Sequence, residues 1–96
     1  VVIKDKMIMA VEAIEGTDRC IRRGCKLAKK DACVIKVAKP NQDKRFDIPA
    51  IGLRTLKTMR KYKASLIAVE AGETIIVDQE AVIKYADKHN IVIMAV

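Results

Sequence analysis

Tryptophan is missing from this chain, and its only aromatic residues are Tyr62, Tyr85 and Phe46. So few, so far apart, they exclude a stacking platform for single-stranded nucleic acid. Hydrophobic residues nonetheless fill 51% of the 96 positions. The core must therefore come from Val, Ile, Ala, Leu and Met, a composition that suits α/β packing. No apolar run is long enough to span a bilayer, and no charged-then-apolar secretion signal opens the chain. The single histidine, His89, rules out a Ser-His-Asp set elsewhere; beside Lys88 and Asn90, late in a helix, it is expected to be structural. Gly16 and Gly24 are too far apart for a phosphate-binding glycine fingerprint. Acids are in deficit, 12 against 19 Lys and Arg, for a net charge of +7. That balance favours anionic partners, or else serves solubility alone. Cys20, Cys25 and Cys33 are odd in number and lack paired spacing, which excludes a zinc ribbon and points to buried free thiols in a reducing cytoplasm.

Residues 1–3 and 7–13 read as a hairpin whose turn, Lys4-Asp5-Lys6, lacks the usual glycine. Glu15-Gly16-Thr17-Asp18 carries helix-start chemistry, with Thr17 or Asp18 placed to cap the first turn. The helix expected over 18–30 sets Ile21, Cys25 and Ala28 on one side, flanked by Cys20 and Leu27, while Gly24 permits close approach. Six cations, Arg19, Arg22, Arg23, Lys26, Lys29 and Lys30, fall in this segment with no acid among them. Their plain reading is a solvated outer face. Residues 33–37 read as a buried strand. After Pro49 and Gly52 helix signals resume, with Leu53, Leu56 and Met59 at three-residue steps. Residues 66–71 read as a strand, with 74–77 as its hairpin partner. Asp78 is expected to cap a last helix whose inner side carries Val82, Tyr85, Ala86 and His89; Asn90 ends it, and 91–96 closes as a strand.

The order is ββ-α-β-α-ββ-α-β, which predicts an α/β fold, a mixed and largely parallel sheet with about three helices packed on it. Residues 1–96 are expected to form one domain. Nearly unbroken apolar strands argue that both faces of the sheet are covered.

The most telling stretch is Lys36-Val37-Ala38-Lys39-Pro40-Asn41-Gln42-Asp43-Lys44-Arg45-Phe46-Asp47. A corner alone takes about two to six residues. This connection is longer and heavily charged. In open α/β sheets ligands gather outside the carboxyl ends of strands. A second polar segment, Glu12 with Glu15, Gly16, Thr17 and Asp18, also leaves a strand at that end. If the parent strands are parallel neighbours, the two segments meet, with carboxylates facing Lys36, Lys39 and Arg45. Cations and helix amides suit phosphate oxygens, and carboxylates suit a hard divalent ion. One carboxylate could also activate water for in-line attack. Surface ion pairing is the plain alternative.

Along Val11-Glu12-Ala13-Ile14-Glu15-Gly16-Thr17-Asp18 and residues 37–49, and again along Ile67-Ala68-Val69-Glu70-Ala71-Gly72-Glu73-Thr74 and Asp78-Gln79-Glu80-Ala81-Val82-Ile83, the sequence resembles a known family. That family is the UDP-2,3-diacylglucosamine pyrophosphatases of lipid A synthesis, in the class unrelated to calcineurin-like phosphoesterases. The resemblance is to its carboxyl-terminal domain and covers nearly the whole chain. It implies a cytoplasmic hydrolase, peripheral at the inner membrane, that splits UDP-2,3-diacylglucosamine with water to UMP and 2,3-diacylglucosamine 1-phosphate. It further implies a divalent metal, Mg or Mn, and a two-domain protein holding the UDP-linked acylated sugar between its halves. This chain, opening at Val1 in strand-like sequence, is then expected to lack the amino-terminal domain, with weak binding or inactivity in isolation as the corollary.

Carried over by position, Asp43 is the first choice for the catalytic carboxylate and Asp47 the next, both in a Gln-Asp-x-x-Phe-Asp pattern. Glu15 and Asp18, with Glu12, are the candidates for metal or water positioning. Lys36, Lys39 and Arg45, joined by Gln42 and Thr17, are the candidates for the substrate phosphates. Lys6 stands where a turn glycine is expected, and Leu53 where a proline often follows Gly52. The basic face of the first helix is not explained by the resemblance; an anionic membrane surface would fit it. The alternative to an enzyme is a noncatalytic nucleotide- or anion-binding domain. Duplex nucleic-acid binding is a weaker third reading, recognisable by steep salt dependence.

Overall fold

The structure, a computed structural model, describes residues 1–38 and 48–96. The chain runs β1 (Val2–Lys4), β2 (Met7–Ala10), α1 (Thr17–Ala28), β3 (Ala32–Lys36), β4 (Ala50–Ile51), α2 (Leu53–Lys61), β5 (Ala64–Val69), β6 (Ile75–Ile76), α3 (Gln79–Lys88) and β7 (Val92–Ala95). Five strands form one sheet in the order β2-β1-β3-β5-β7. β3, β5 and β7 are parallel, and β1 is antiparallel to both β2 and β3. The predicted class therefore holds: a mixed, largely parallel sheet with three helices.

Each crossover, through α1, α2 and α3, steps across the sheet in the same direction. Right-handed connections then place all three helices on one face, and α2 touches both α1 and α3. Beneath them lies the core of Val2, Ile21, Cys25, Val34, Leu56, Met59, Ile67 and Val82, all but sealed from solvent. The side chains alternate in register. Cys33, Leu66 and Val92 align across the sheet on the opposite face, as do Ile35, Ala68 and Met94. Ile8, Val92 and Met94 stay exposed there, so the expectation of a sheet covered on both faces is corrected. Continuous apolar strands signalled burial, but toward the edges the second face has no helix above it.

Other departures have local causes. Residues 74–77 do not pair back on β5. Instead β6 joins β4 as a separate parallel pair, Ala50 opposite Ile75 and Ile51 opposite Ile76. Ala50 and Ile51, the two residues before Gly52, were too few to announce a strand of their own. Asp78 holds a left-handed backbone, φ 53° and ψ 57°, and makes no side-chain capping bond. Leu27 turns outward rather than flanking the core. The first hairpin does close without glycine: Asp5 and Lys6 both take positive φ, 53° and 65°, the conformation a two-residue turn of this hand requires. Gly24 sits where α1 crosses β1, and a Cβ on it would lie 2.5 Å from Val2 Cβ.

Candidate functional site

Because β2 and β3 both run antiparallel to β1, they run parallel to each other. They are not neighbours, since β1 lies between them. Their carboxyl ends, with that of β5, nevertheless reach one edge of the sheet. Glu12 follows β2, Lys36 ends β3 and Glu70 follows β5. The edge is therefore assembled by topology before any side chain is considered.

Three predicted residues meet there. Lys36 Nζ donates to Thr17 Oγ1 at 2.7 Å, and the Thr17 hydroxyl in turn donates to Glu12 Oε2 at 3.4 Å. All three are half-buried. A cavity of about 580 Å³ opens beside them, walled also by Val2, Cys20 and Pro49. That volume suits a small-molecule ligand. Thr17 is the first residue of α1, whose N-cap is Gly16 at φ 92° with no side-chain capping bond. The predicted cap by Thr17 or Asp18 is thus absent, because the Thr17 hydroxyl is spent on Lys36 and Glu12. The first-turn amides keep their capacity for an anion.

Glu15 and Asp18 are drawn elsewhere. Arg23 Nη2 approaches Glu15 Oε1 at 2.5 Å and its Nε donates to Oε2 at 3.3 Å. A further bond from Arg23 Nη2 reaches the Val11 carbonyl at 2.8 Å. The Arg23 guanidinium, through that hydrogen bond, holds the Glu15 carboxyl below its ordinary range. Asp18 Oδ2 pairs with Arg54 Nε at 2.7 Å, tying α1 to α2. Glu15 thus ties the β2–α1 connection to α1 and Asp18 ties α1 to α2, each carboxylate paired with a guanidinium. Among the described residues no group of three or more His, Cys, Asp or Glu side chains is placed to hold a metal. The described part of the site does not by itself fit a divalent ion, and no step is routed through one. Lys39, Gln42, Asp43, Arg45 and Asp47 lie outside the described residues.

Glu70 is the residue sequence reasoning passed over. Its Oε1 accepts from the Ala38 backbone N–H at 2.7 Å, fixing the chain just beyond β3. A carboxylate directly after a strand of a parallel sheet was the available signal. His89 lies apart from the edge, its ring 4.4 Å from that of Tyr85. Burial, then the charges of Arg60 and Lys88, lower its pKa.

Comparison with known proteins shows the family. Residues 1–94 match the family described as LpxI C-terminal domain. Across 103 aligned positions the chain is 34% identical to the UDP-2,3-diacylglucosamine pyrophosphatase LpxI of Caulobacter vibrioides (strain ATCC 19089 / CIP 103742 / CB 15). The alignment takes in 99% of this chain but 37% of that protein. With Glu12, Thr17, Lys36 and Glu70 all inside the matched span, the chain belongs to the LpxI C-terminal domain family.

Proposed function

We propose that this chain forms the carboxyl-terminal part of an enzyme that hydrolyses the pyrophosphate of UDP-2,3-diacylglucosamine to UMP and 2,3-diacylglucosamine 1-phosphate. The observation that carries the reading is the junction of Lys36, Thr17 and Glu12 at a cavity beside an uncapped helix start. Lys36 and the α1 amides would hold phosphate oxygens, where charge builds as the leaving phosphate departs. Thr17 orients the ammonium, and Glu12 keeps the hydroxyl turned. The printed name of the Caulobacter relative supplies the substrate class. Asp43, then Asp47, remains the proposed catalytic carboxylate, with Lys39, Gln42 and Arg45 on the phosphates. A divalent ion, Mg or Mn, remains part of the proposal, although Glu15 and Asp18, two of the three carboxylates expected to hold it with Glu12, are engaged by arginines.

The test is UMP release by a protein of the relative's full length. Lys36→Met should cut kcat/KM by about a hundredfold, the scale on which removing one preorganised charge-stabilising group acts. Asp43→Ala should abolish turnover while substrate still binds. Chelation should stop hydrolysis without releasing substrate. Unchanged turnover in Lys36→Met would remove this cleft from the reaction. Chelator-indifferent binding of UDP with no UMP formed would instead mark a noncatalytic anion-binding domain.

A further inference from the structure

Two helices carry a charge asymmetry that the cleft does not use. Residues 17–30 and 53–63 hold eleven of the nineteen Lys and Arg residues and one of the twelve acids, Asp18. α1 and α2 pack side by side, and their inner sides are occupied by Cys20, Ile21 and Cys25 and by Leu56 and Met59. The cations are consequently turned outward. Arg19, Arg22 and Lys26 on α1 and Lys57, Arg60 and Lys61 on α2 are all exposed. Since Asp18 is already held by Arg54, these helices have no other acid of their own to offset that charge. Solubility alone does not sort charge so completely onto two helices, while α3 in the same layer balances Glu80 and Asp87 against Lys84 and Lys88.

We propose that the outward face of α1 and α2 is a docking surface for an anionic lipid bilayer. The cations cover the broad sides of two adjacent helices, a shape that meets a plane of headgroups, whereas duplex readers insert an element into a groove. Leu27, 63% exposed, lies next to Lys26 and one turn on from Arg23. An apolar side chain at the rim of a basic face suits the headgroup–acyl boundary. The plane also begins at the cleft, because Thr17 lines the cavity and starts α1. Preferring a bilayer over another polyanion rests in part on the reading above, in which the substrate is an acylated sugar that resides at a lipid surface.

The test is sedimentation of the chain with vesicles of phosphatidylcholine alone and of phosphatidylcholine mixed with phosphatidylglycerol. Binding is expected only to the mixed vesicles and is expected to weaken with added salt. Arg22→Gln/Lys26→Gln/Lys57→Gln should lower partitioning about a hundredfold, each cation near the surface contributing roughly fivefold. These residues are exposed and lie outside the cleft, so thermal melting should be unchanged. Leu27→Ser should weaken partitioning several-fold while leaving the salt dependence intact. Equal binding to both vesicles, no binding to either, or an unaltered triple variant would overturn the proposal. So would tighter, equally charge-dependent binding to duplex DNA. UMP release from detergent-dispersed substrate by the full-length protein is read separately: the triple variant should retain it, and its absence in the parent would sink the catalytic reading while leaving vesicle binding to stand.

Discussion

Gly24→Ala is the sharpest test of how α1 is seated. The substitution gains about 1 kcal/mol of helix propensity. Against that, the new methyl would lie 2.5 Å from Val2 Cβ and 2.8 Å from each of its γ carbons. Overpacking costs about 1–3 kcal/mol in general. Here the upper end applies, because Val2 Cβ is fixed to a backbone clamped between β2 and β3, and no rotamer moves it. The net destabilisation should be about 2 kcal/mol, or roughly 10 °C in Tm for a domain of this size. Thermal melting by circular dichroism reads it directly. Adding Val2→Ala should recover part of the loss, since the γ-carbon clashes vanish and the Cβ clash stays, giving a coupling above about 0.5 kcal/mol. The strain should also reach the cleft, because Val2 and Thr17 both wall the cavity. A Gly24→Ala protein that melts at or above the parent would refute the packing argument.

Lys6→Gly should raise stability by about 1 kcal/mol, since a side chain at positive φ carries a penalty that glycine lacks; denaturant unfolding measures it, and no gain would mean the turn is not strained. Arg23→Gln should return the Glu15 carboxyl to its ordinary range. In the parent, a folded-state pKa below the unfolded value near 4.5 contributes stability that is present above that pH and lost as pH falls through the folded value. The variant's melting temperature should therefore depend less steeply on pH below 4.5, as a pH series of melts would show. Burial pushes the Cys25 thiol up to about 11, so alkylation at mildly alkaline pH should label half-buried Cys33 first and Cys25 only as fast as the protein unfolds; peptide mapping resolves the order.

Much of the fold was legible because periodicity reports burial. Ile21, Cys25 and Ala28, Leu56 and Met59, and Val82 and Ala86 all face the core as their spacing demands. What failed was pairing. The strand of residues 74–77 was placed beside its sequence neighbour, whereas β6 chose β4, whose two residues left no periodic trace. Hydrophobic runs also cannot say how many layers cover them, so exposed Val92 and Met94 looked like core. At the site, residue type located the edge, and Lys36, Thr17 and Glu12 did converge. The partners of Glu15 and Asp18 were out of reach, because Arg23 and Arg54 meet them only through the seating of α1 against its neighbours. Nothing in a one-dimensional reading distinguishes an acid that awaits a ligand from one already occupied by guanidinium.

The course of β1 has a practical corollary. Val1 borders the cavity, and its backbone nitrogen donates to the Ile35 carbonyl at 3.0 Å. An amino-terminal domain joined ahead of Val1 would therefore enter at the mouth of the cleft, and a purification tag fused at the same point of this chain would compete with whatever binds there. Ligand titrations on such a fusion would underestimate affinity, and removing the tag by proteolysis should restore it.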